Sequence, residues 1–191
     1  MQPDNDACTV PVPMLEDLML RYQQADTGAT EKLVDLLSPR LYRFFAAHLG
    51  NRSEASDMLQ DTWLRIHRAR HTYRAGAPLL PWVYAIAHRV RIDGHRRRTR
   101  TSREIGVDIL PESPQIASSA GGDQPAFEEM LASLPESQRE VLTMLKVLGL
   151  SIDEVAQATS STSGAVKQKV HRAYEKLRGV LANPGVVAVR K

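Results

Sequence analysis

LSIDEVAQATSSTSGAVKQKVHRA, residues 150–173, is the stretch that decides the fold. Ser151-Ile-Asp-Glu154 is a capping box. The serine oxygen takes a backbone N–H at a helix start, and the glutamate three residues on reaches back to the cap. A short helix follows, with Ile152, Val155 and Ala156 inward, and Thr159-Ser160-Ser161 breaks it. Ser161 is then expected to cap a longer helix from Thr162 to about Val180. Val166, Val170, Ala173 and Leu177, at i, i+4, i+7 and i+11, form its inward stripe. Lys167, Gln168, His171 and Arg172 fall off that stripe, with Lys169 beside them. A short helix, a tight turn and a longer helix with a basic first half make a helix-turn-helix. Such side chains donate to phosphates, and lysine, arginine and glutamine also read base edges in the major groove. If the charges only solvated an exposed face, the capped short helix and the three-residue break would be left unexplained.

Working outward, Leu134-Pro135 opens a helix expected to run to Leu148, with Val141, Leu142, Leu145 and Leu148 on one face. Pro135 sits in its first turn, where the missing N–H costs nothing, and Gly149 suits a left-handed stop. The C-terminal domain spans 126–181, and Asn183-Pro184-Gly185 begins a tail, 182–191. Upstream, residues 104–125 are rich in Pro, Ser and Gly and can bury little apolar area, so they read as a flexible linker. Residues 14–103 carry helical periodicity and form a second domain, preceded by a disordered leader, 1–13, with three prolines. The expected fold is all-α: two small helical domains joined by a flexible linker, the C-terminal one a helix-turn-helix.

Two segments of the N-terminal domain stand out. In 55–69, Ala55, Met58, Leu59, Trp63 (or Thr62), Ile66 and Ala69 make an apolar stripe, with Asp57, Gln60, Asp61, Arg65 and Arg68 outside it. By pattern alone this is an ordinary surface helix. In the helix beginning near Trp82, Val83, Ile86, Ala87 and Val90 face inward. Between Arg89 and Arg103 stand seven arginines, at 89, 91, 96, 97, 98, 100 and 103, against one acid, Asp93. Guanidinium groups this dense repel one another unless a polyanion neutralises them. Nucleic acid fits better than an acidic membrane, because no lipid-inserting aromatic face accompanies the charge. The loop before it, Tyr73 to Pro81, is held by Gly76, Pro78 and Pro81 and can cup an unstacked base.

Composition excludes several classes. The chain has 191 residues, 42% hydrophobic but only 5% aromatic, with a net charge of +3. Cys8 is its one cysteine, so neither an internal disulfide nor a cysteine-based zinc cluster can form. His67 and His71 lie four apart without a third ligand, so a solvated pair is favoured over a metal site. No Gly-rich phosphate loop and no defensible Ser-His-Asp order points to an enzyme. No catalytic residue, metal or cofactor is expected. Neither a signal peptide nor a membrane span is evident, so a soluble, cytoplasmic protein is expected.

Taken together, the blocks resemble an extracytoplasmic-function (ECF) sigma factor of bacterial RNA polymerase. Pro39-Arg-Leu-Tyr-Arg-Phe44 and Leu49 to Asp57 resemble the family's first helices, and Leu59-Gln-Asp-Thr-Trp-Leu-Arg65 its clamp-docking helix. Trp82-Val-Tyr-Ala-Ile-Ala-His-Arg89, Ile92-Asp93 and Arg96-Arg97-Arg98 resemble the helix that melts and reads the minus-ten element. Leu134 to Leu142, Leu150 to Ala156 and Gly164 to Ala173 resemble the minus-thirty-five module. The resemblance implies that Asp57, Gln60, Asp61, Trp63, Leu64 and Arg65 contact core polymerase. It implies promoter DNA contacts from Arg74, Trp82, His88, Arg89, Arg91, Arg96, Arg97 and Arg98, with 74–81 forming a pocket for a flipped base. From the helix-turn-helix it implies contacts from Ser161, Lys167, Gln168, Lys169, His171 and Arg172. The implied partners are core RNA polymerase, promoter DNA and an anti-sigma protein, often membrane-bound, while this chain is not itself a membrane protein. The competing reading, a stand-alone helix-turn-helix regulator, accounts for 126–181 but for neither the clamp-like helix nor the arginines.

Overall fold

The computed structural model describes residues 12–49, 51–105, 131 and 133–182, which are helical and turn throughout with no strand among them. Helix α1, Val12–Gln23, buries Leu15, Leu18, Met19 and Tyr22. It begins inside the stretch expected to be leader, so the helical domain starts by Val12 rather than Met14. Ala25, at φ 63°, turns the chain into α2, Thr27–Ala46. Asp26 caps α2 by accepting from the Ala29 N–H at 3.0 Å, and Arg21 holds the same carboxylate at 2.8 Å. Ala29, Leu33, Leu37, Leu41, Phe44 and Phe45 supply its buried side, so periodicity alone predicts its orientation.

Helix α3, Arg52–Ala69, is capped by Asn51 and buries Ala55, Thr62 and Ile66. Between the two alternatives for its stripe, Thr62 is the inward residue. Its hydroxyl donates back to the Met58 carbonyl at 2.7 Å, which satisfies it without a distant partner. Trp63 is half-buried and donates its indole N–H to Ser38 at 3.0 Å.

After a 3₁₀ turn, Arg70–Thr72, helix α4 runs Leu79–Ile105. Pro81 therefore belongs to the helix's first turn rather than to the preceding loop, where its ring needs no N–H partner. The helix passes through Gly94 unbroken and extends two residues into the stretch expected to be linker; the rest of that linker, the leader before Val12 and the tail beyond Ala182 lie outside the described residues. Gly94 faces α3, and a Cβ there would meet the terminal methyl of Met58. Gly94→Ala should change stability by less than about 1 kcal/mol, because the helix-propensity gain offsets displacement of a flexible methionine. A larger fall in thermal midpoint would mean that α3 cannot yield.

In the C-terminal part, a turn after the helical Leu131 leads to α5, Glu136–Leu142, whose Pro135 occupies the cap position. The helix expected to reach Leu148 in one piece instead widens into a π turn over Thr143–Val147. Gly149, at φ 72°, ends it as expected. Then come α6, Ile152–Ala158, and α7, Ser163–Ala182. Leu131, Leu134, Leu142, Ala173 and Leu177 make a small core beneath α7. Val141, Met144, Leu148, Leu150 and Val155 instead continue the main core of α1–α4, whose aromatic centre is Phe44 against Phe45 and Tyr84. Helix α6 packs along α4, so the two halves of the chain share an interior.

Candidate nucleic-acid interface

The turn between α6 and α7 is built as its sequence requires. Ser151 accepts from the Glu154 N–H at 3.2 Å, and Glu154 accepts from the Ser151 N–H at 2.7 Å. Ser160 adopts φ 51°, and Ser161 closes the turn by donating its N–H to Ala156 at 2.9 Å. The cap of α7 differs from expectation by one residue. Thr162 accepts from the Ala165 N–H at 3.2 Å, while the Ser161 hydroxyl pairs with that of Thr159 at 2.8 Å. The Ser163 hydroxyl also donates to Asp153 at 2.6 Å and ties α7 to the first turn of α6. Val166, Ala173 and Leu177 are buried, Val170 is half-buried, and Lys167, Gln168, His171 and Arg172 point to solvent. Lys169 is half-buried beside them. Tyr174, 41% exposed, extends this surface, and a search for basic groups alone passes over it.

The arginines of α4 divide between two sides of the helix. At 100° per residue, Arg89 and Arg96 fall on one side with the half-buried Trp82, and both are exposed. Arg97 is exposed as well. Trp82 stacks edge-on against Tyr73 at 5.7 Å, and Tyr73 fixes the loop by donating its hydroxyl to Ala77. Arg74 and Gly76, the latter at φ 79°, project from that loop. Arg98 is tied to Glu54 of α3. On the other side, Arg91 is buried: it donates to both oxygens of Glu140, at 3.1 and 2.9 Å, and to Glu136. His88 meets the same Glu140 carboxylate at 2.5 Å.

Burial alone would raise the Glu140 carboxyl, but the His88 hydrogen bond and the Arg91 charge outweigh it and hold it below the ordinary range. Burial, reinforced by the nearby Arg91 charge, pushes the His48 imidazole down to about 4. These two acids and His48 were not anticipated from sequence. The only signal for the acids was their i, i+4 spacing on one short helix, and Glu140 is embedded among Val141 and Leu142.

On α3, Asp57, Gln60, Asp61 and Leu64 lie along one outer row, and Leu64 is 47% exposed. Arg65 donates to Asp61 at 3.1 Å and to Asp93 of α4 at 2.7 Å, so this pair also braces one helix against the next. No group of three or more potential metal ligands occurs among the described residues, and His67 pairs instead with the Tyr22 hydroxyl at 2.8 Å.

Known proteins share this sequence pattern and fold. Residues 33–101 match the family described as Sigma-70 region 2, and residues 125–177 match Sigma-70, region 4. The chain is 34% identical to the ECF RNA polymerase sigma factor SigD of Mycobacterium tuberculosis, over 84% of this chain and 80% of that protein. The chain belongs to the ECF RNA polymerase sigma factors. The ECF sigma factor SigF of Caulobacter vibrioides is 32% identical over 85% of this chain and 91% of its own length. The fold agrees with the sigma factor RpoE of Bartonella quintana, solved with the anti-sigma factor NepR, at a TM-score of 0.70 and 24% identity, covering 80% of this chain and 96% of that one. The helix-turn-helix is thus region 4 of an ECF sigma factor rather than a stand-alone regulator, and α3 and most of α4 lie within its region 2. No described helix is long and apolar enough to cross a membrane.

Proposed function

We propose that this ECF sigma factor binds core RNA polymerase through α3, meets the minus-ten element with α4 and its preceding loop, and reads the minus-thirty-five duplex with α7. The observation that carries the reading is the presence, in one chain, of an exposed basic first half on α7 and an arginine-dense α4. In this reading 14–103 and 126–181 are the two working domains and the segment between them is a linker. The residues assigned to polymerase are Asp57, Gln60, Asp61, Trp63, Leu64 and Arg65. The protein supplies recognition rather than bond chemistry, acts in the cytoplasm and is held in check by an anti-sigma protein.

In vitro transcription with core polymerase on a genomic library tests the reading and yields the promoter sequence. Transcripts starting at common upstream elements support it, whereas tight dimeric DNA binding without polymerase overturns it. For α7, Arg172→Ala should weaken discrimination for the chosen promoter by about 5- to 150-fold if the guanidinium pairs with a guanine. Equal losses on promoter and random duplex would reduce Arg172 to a phosphate contact.

A further inference from the structure

The loop ahead of α4 is tied to itself and to the body of its domain by different groups. Within the loop, the Tyr73 hydroxyl donates to the Ala77 carbonyl and the Ala77 N–H donates to the Arg74 carbonyl at 3.1 Å. The Tyr73 ring also rests edge-on against Trp82. These ties close Tyr73 to Ala77 into a small ring that leaves Arg74, Ala75 and Gly76 exposed. Downstream the loop is held by burial, since Leu79, Leu80 and Pro81 enter α4 with buried side chains. Upstream, the chain leaves the 3₁₀ turn Arg70–Thr72 and becomes extended at Tyr73, where ψ is 133°.

That upstream hinge is gripped from α1. Gln23, the last residue of α1, places its amide nitrogen 2.6 Å from the Arg70 carbonyl and 2.9 Å from the Tyr73 carbonyl, and donates to both. Two carbonyl acceptors settle which end of the amide faces them, because only the nitrogen can donate. The acceptors bracket the hinge, with Arg70 on the body side and Tyr73 on the loop side, so one amide fixes the angle between them. The grip is itself anchored. Tyr22 is buried and pairs with His67 of α3 at 2.8 Å, and Leu15, Leu18 and Met19 seat α1 in the core. Gln23 is half-buried at a helix end, so its amide adds position to the loop without filling the interior. Helix α1 precedes residues 33–101, the span matched to Sigma-70 region 2.

A surface that reads a base must be held in place before the base arrives, since ordering it at that moment subtracts from binding. We propose that Gln23 is a positioning residue for minus-ten recognition, its amide setting the angle at which the loop of 74–81 meets an unstacked base. The proposal rests on the reading that this loop receives such a base. Its test uses the full chain in holoenzyme with core polymerase, on the promoter found by transcription, with each minus-ten position changed in turn to the other three bases. The readout is the rate of open-complex formation, taken at each position as the ratio of the preferred base to the others. Gln23→Met keeps the reach of the side chain without its donors. It should lower that ratio by about fivefold at one position, the factor carried by one net hydrogen bond. The other positions, the affinity for core polymerase and the affinity for a minus-thirty-five duplex should not change. Gln23→Ala, which only shortens the half-buried side chain, should behave alike. Gln23→Lys keeps donors at a similar reach and should restore most of the lost discrimination. Gln24→Met, at the exposed neighbouring position, should change nothing.

Equal slowing on every promoter variant, with helical circular dichroism intact, would make Gln23 a residue of the scaffold alone and overturn the proposal. Unchanged discrimination would overturn it too, and so would a lysine that restores nothing. Arg74→Ala, a change in the loop itself, separates this failure from failure of the underlying reading. If Arg74→Ala blunts discrimination at one position and Gln23→Met does not, the positioning role falls and the loop assignment stands. If neither variant blunts it, the base is read elsewhere and both fall.

Discussion

Leu64→Asp should lower the affinity for core RNA polymerase by about 30-fold or more while moving the thermal midpoint by less than about 2 °C. Leu64 is a large apolar side chain left 47% exposed, in a row with the exposed Asp57 and Gln60 on α3. It belongs to none of the buried core clusters, so the fold has no evident use for it. An apolar anchor ringed by polar groups is the pattern of a binding hot spot, where truncation costs about 2 kcal/mol or more, and that energy is the 30-fold. A charge at that position adds desolvation to the loss. Asp61→Arg is a less clean experiment, although Asp61 stands in the same row. It would set a second guanidinium against Arg65 and disturb the tie from Arg65 to Asp93. Loss of binding could then reflect a shifted α4. Core polymerase retained by Leu64→Asp at wild-type affinity would remove α3 as the docking helix.

The helices themselves were legible because their signals are local. The capping box at Ser151, the stop at Gly149 and the inward stripe of Val83, Ile86, Ala87 and Val90 each act within one or two turns of chain, and the structure uses all three. What the pattern left open was decided by details of comparable local energy. Thr62 rather than Trp63 faces the core of α3, since a helical threonine can satisfy its hydroxyl on its own backbone while an indole N–H needs an outside acceptor, here Ser38. Thr162 rather than Ser161 caps α7, because the left-handed Ser160 turns Ser161 towards Thr159. The π turn at Thr143–Val147 had no sequence mark at all.

The site was legible in kind but not in allocation. Arginine density identified α4, yet density cannot say which arginines are spoken for. Arg91 and Glu140 are 49 residues apart, Arg98 and Glu54 are 44 apart, and neither pairing has a sequence period. A tertiary partner therefore withdrew Arg91, His88 and Arg98 from the exposed set, while Arg89, Arg96 and Arg97 remained in it.

Acidification from pH 7 to pH 5 should destabilise the wild-type chain by about 2 kcal/mol through His48, and His48→Gln should remove that part of the loss. His48 anchors its Nδ1–H on the Phe44 carbonyl at 2.6 Å, and its Nε2 is sealed without a partner. The groups facing it are Arg91 of α4 and Glu140 and Arg139 of α5, with His88 on the far side of Glu140. Burial and the Arg91 charge disfavour the imidazolium more than the Glu140 charge favours it, which lowers the folded-state value to about 4. The unfolded chain takes up this proton near 6.5, so below that pH it binds a proton that the folded chain refuses. Stability is thus intact above pH 6.5 and falls by about 1.4 kcal/mol per unit below it, until the folded group titrates as well. Glu140 acts in the same direction at lower pH, since a carboxyl held below its ordinary range loses its contribution as pH falls through that range. For a chain of this length 2 kcal/mol corresponds to roughly 4–8 °C in thermal midpoint. Because His88, Arg91, Arg139 and Glu140 remain in both proteins, the difference between wild type and His48→Gln across the two pH values isolates the one imidazole. Equal midpoint shifts in the two proteins would show that His48 takes up its proton without leaving the fold.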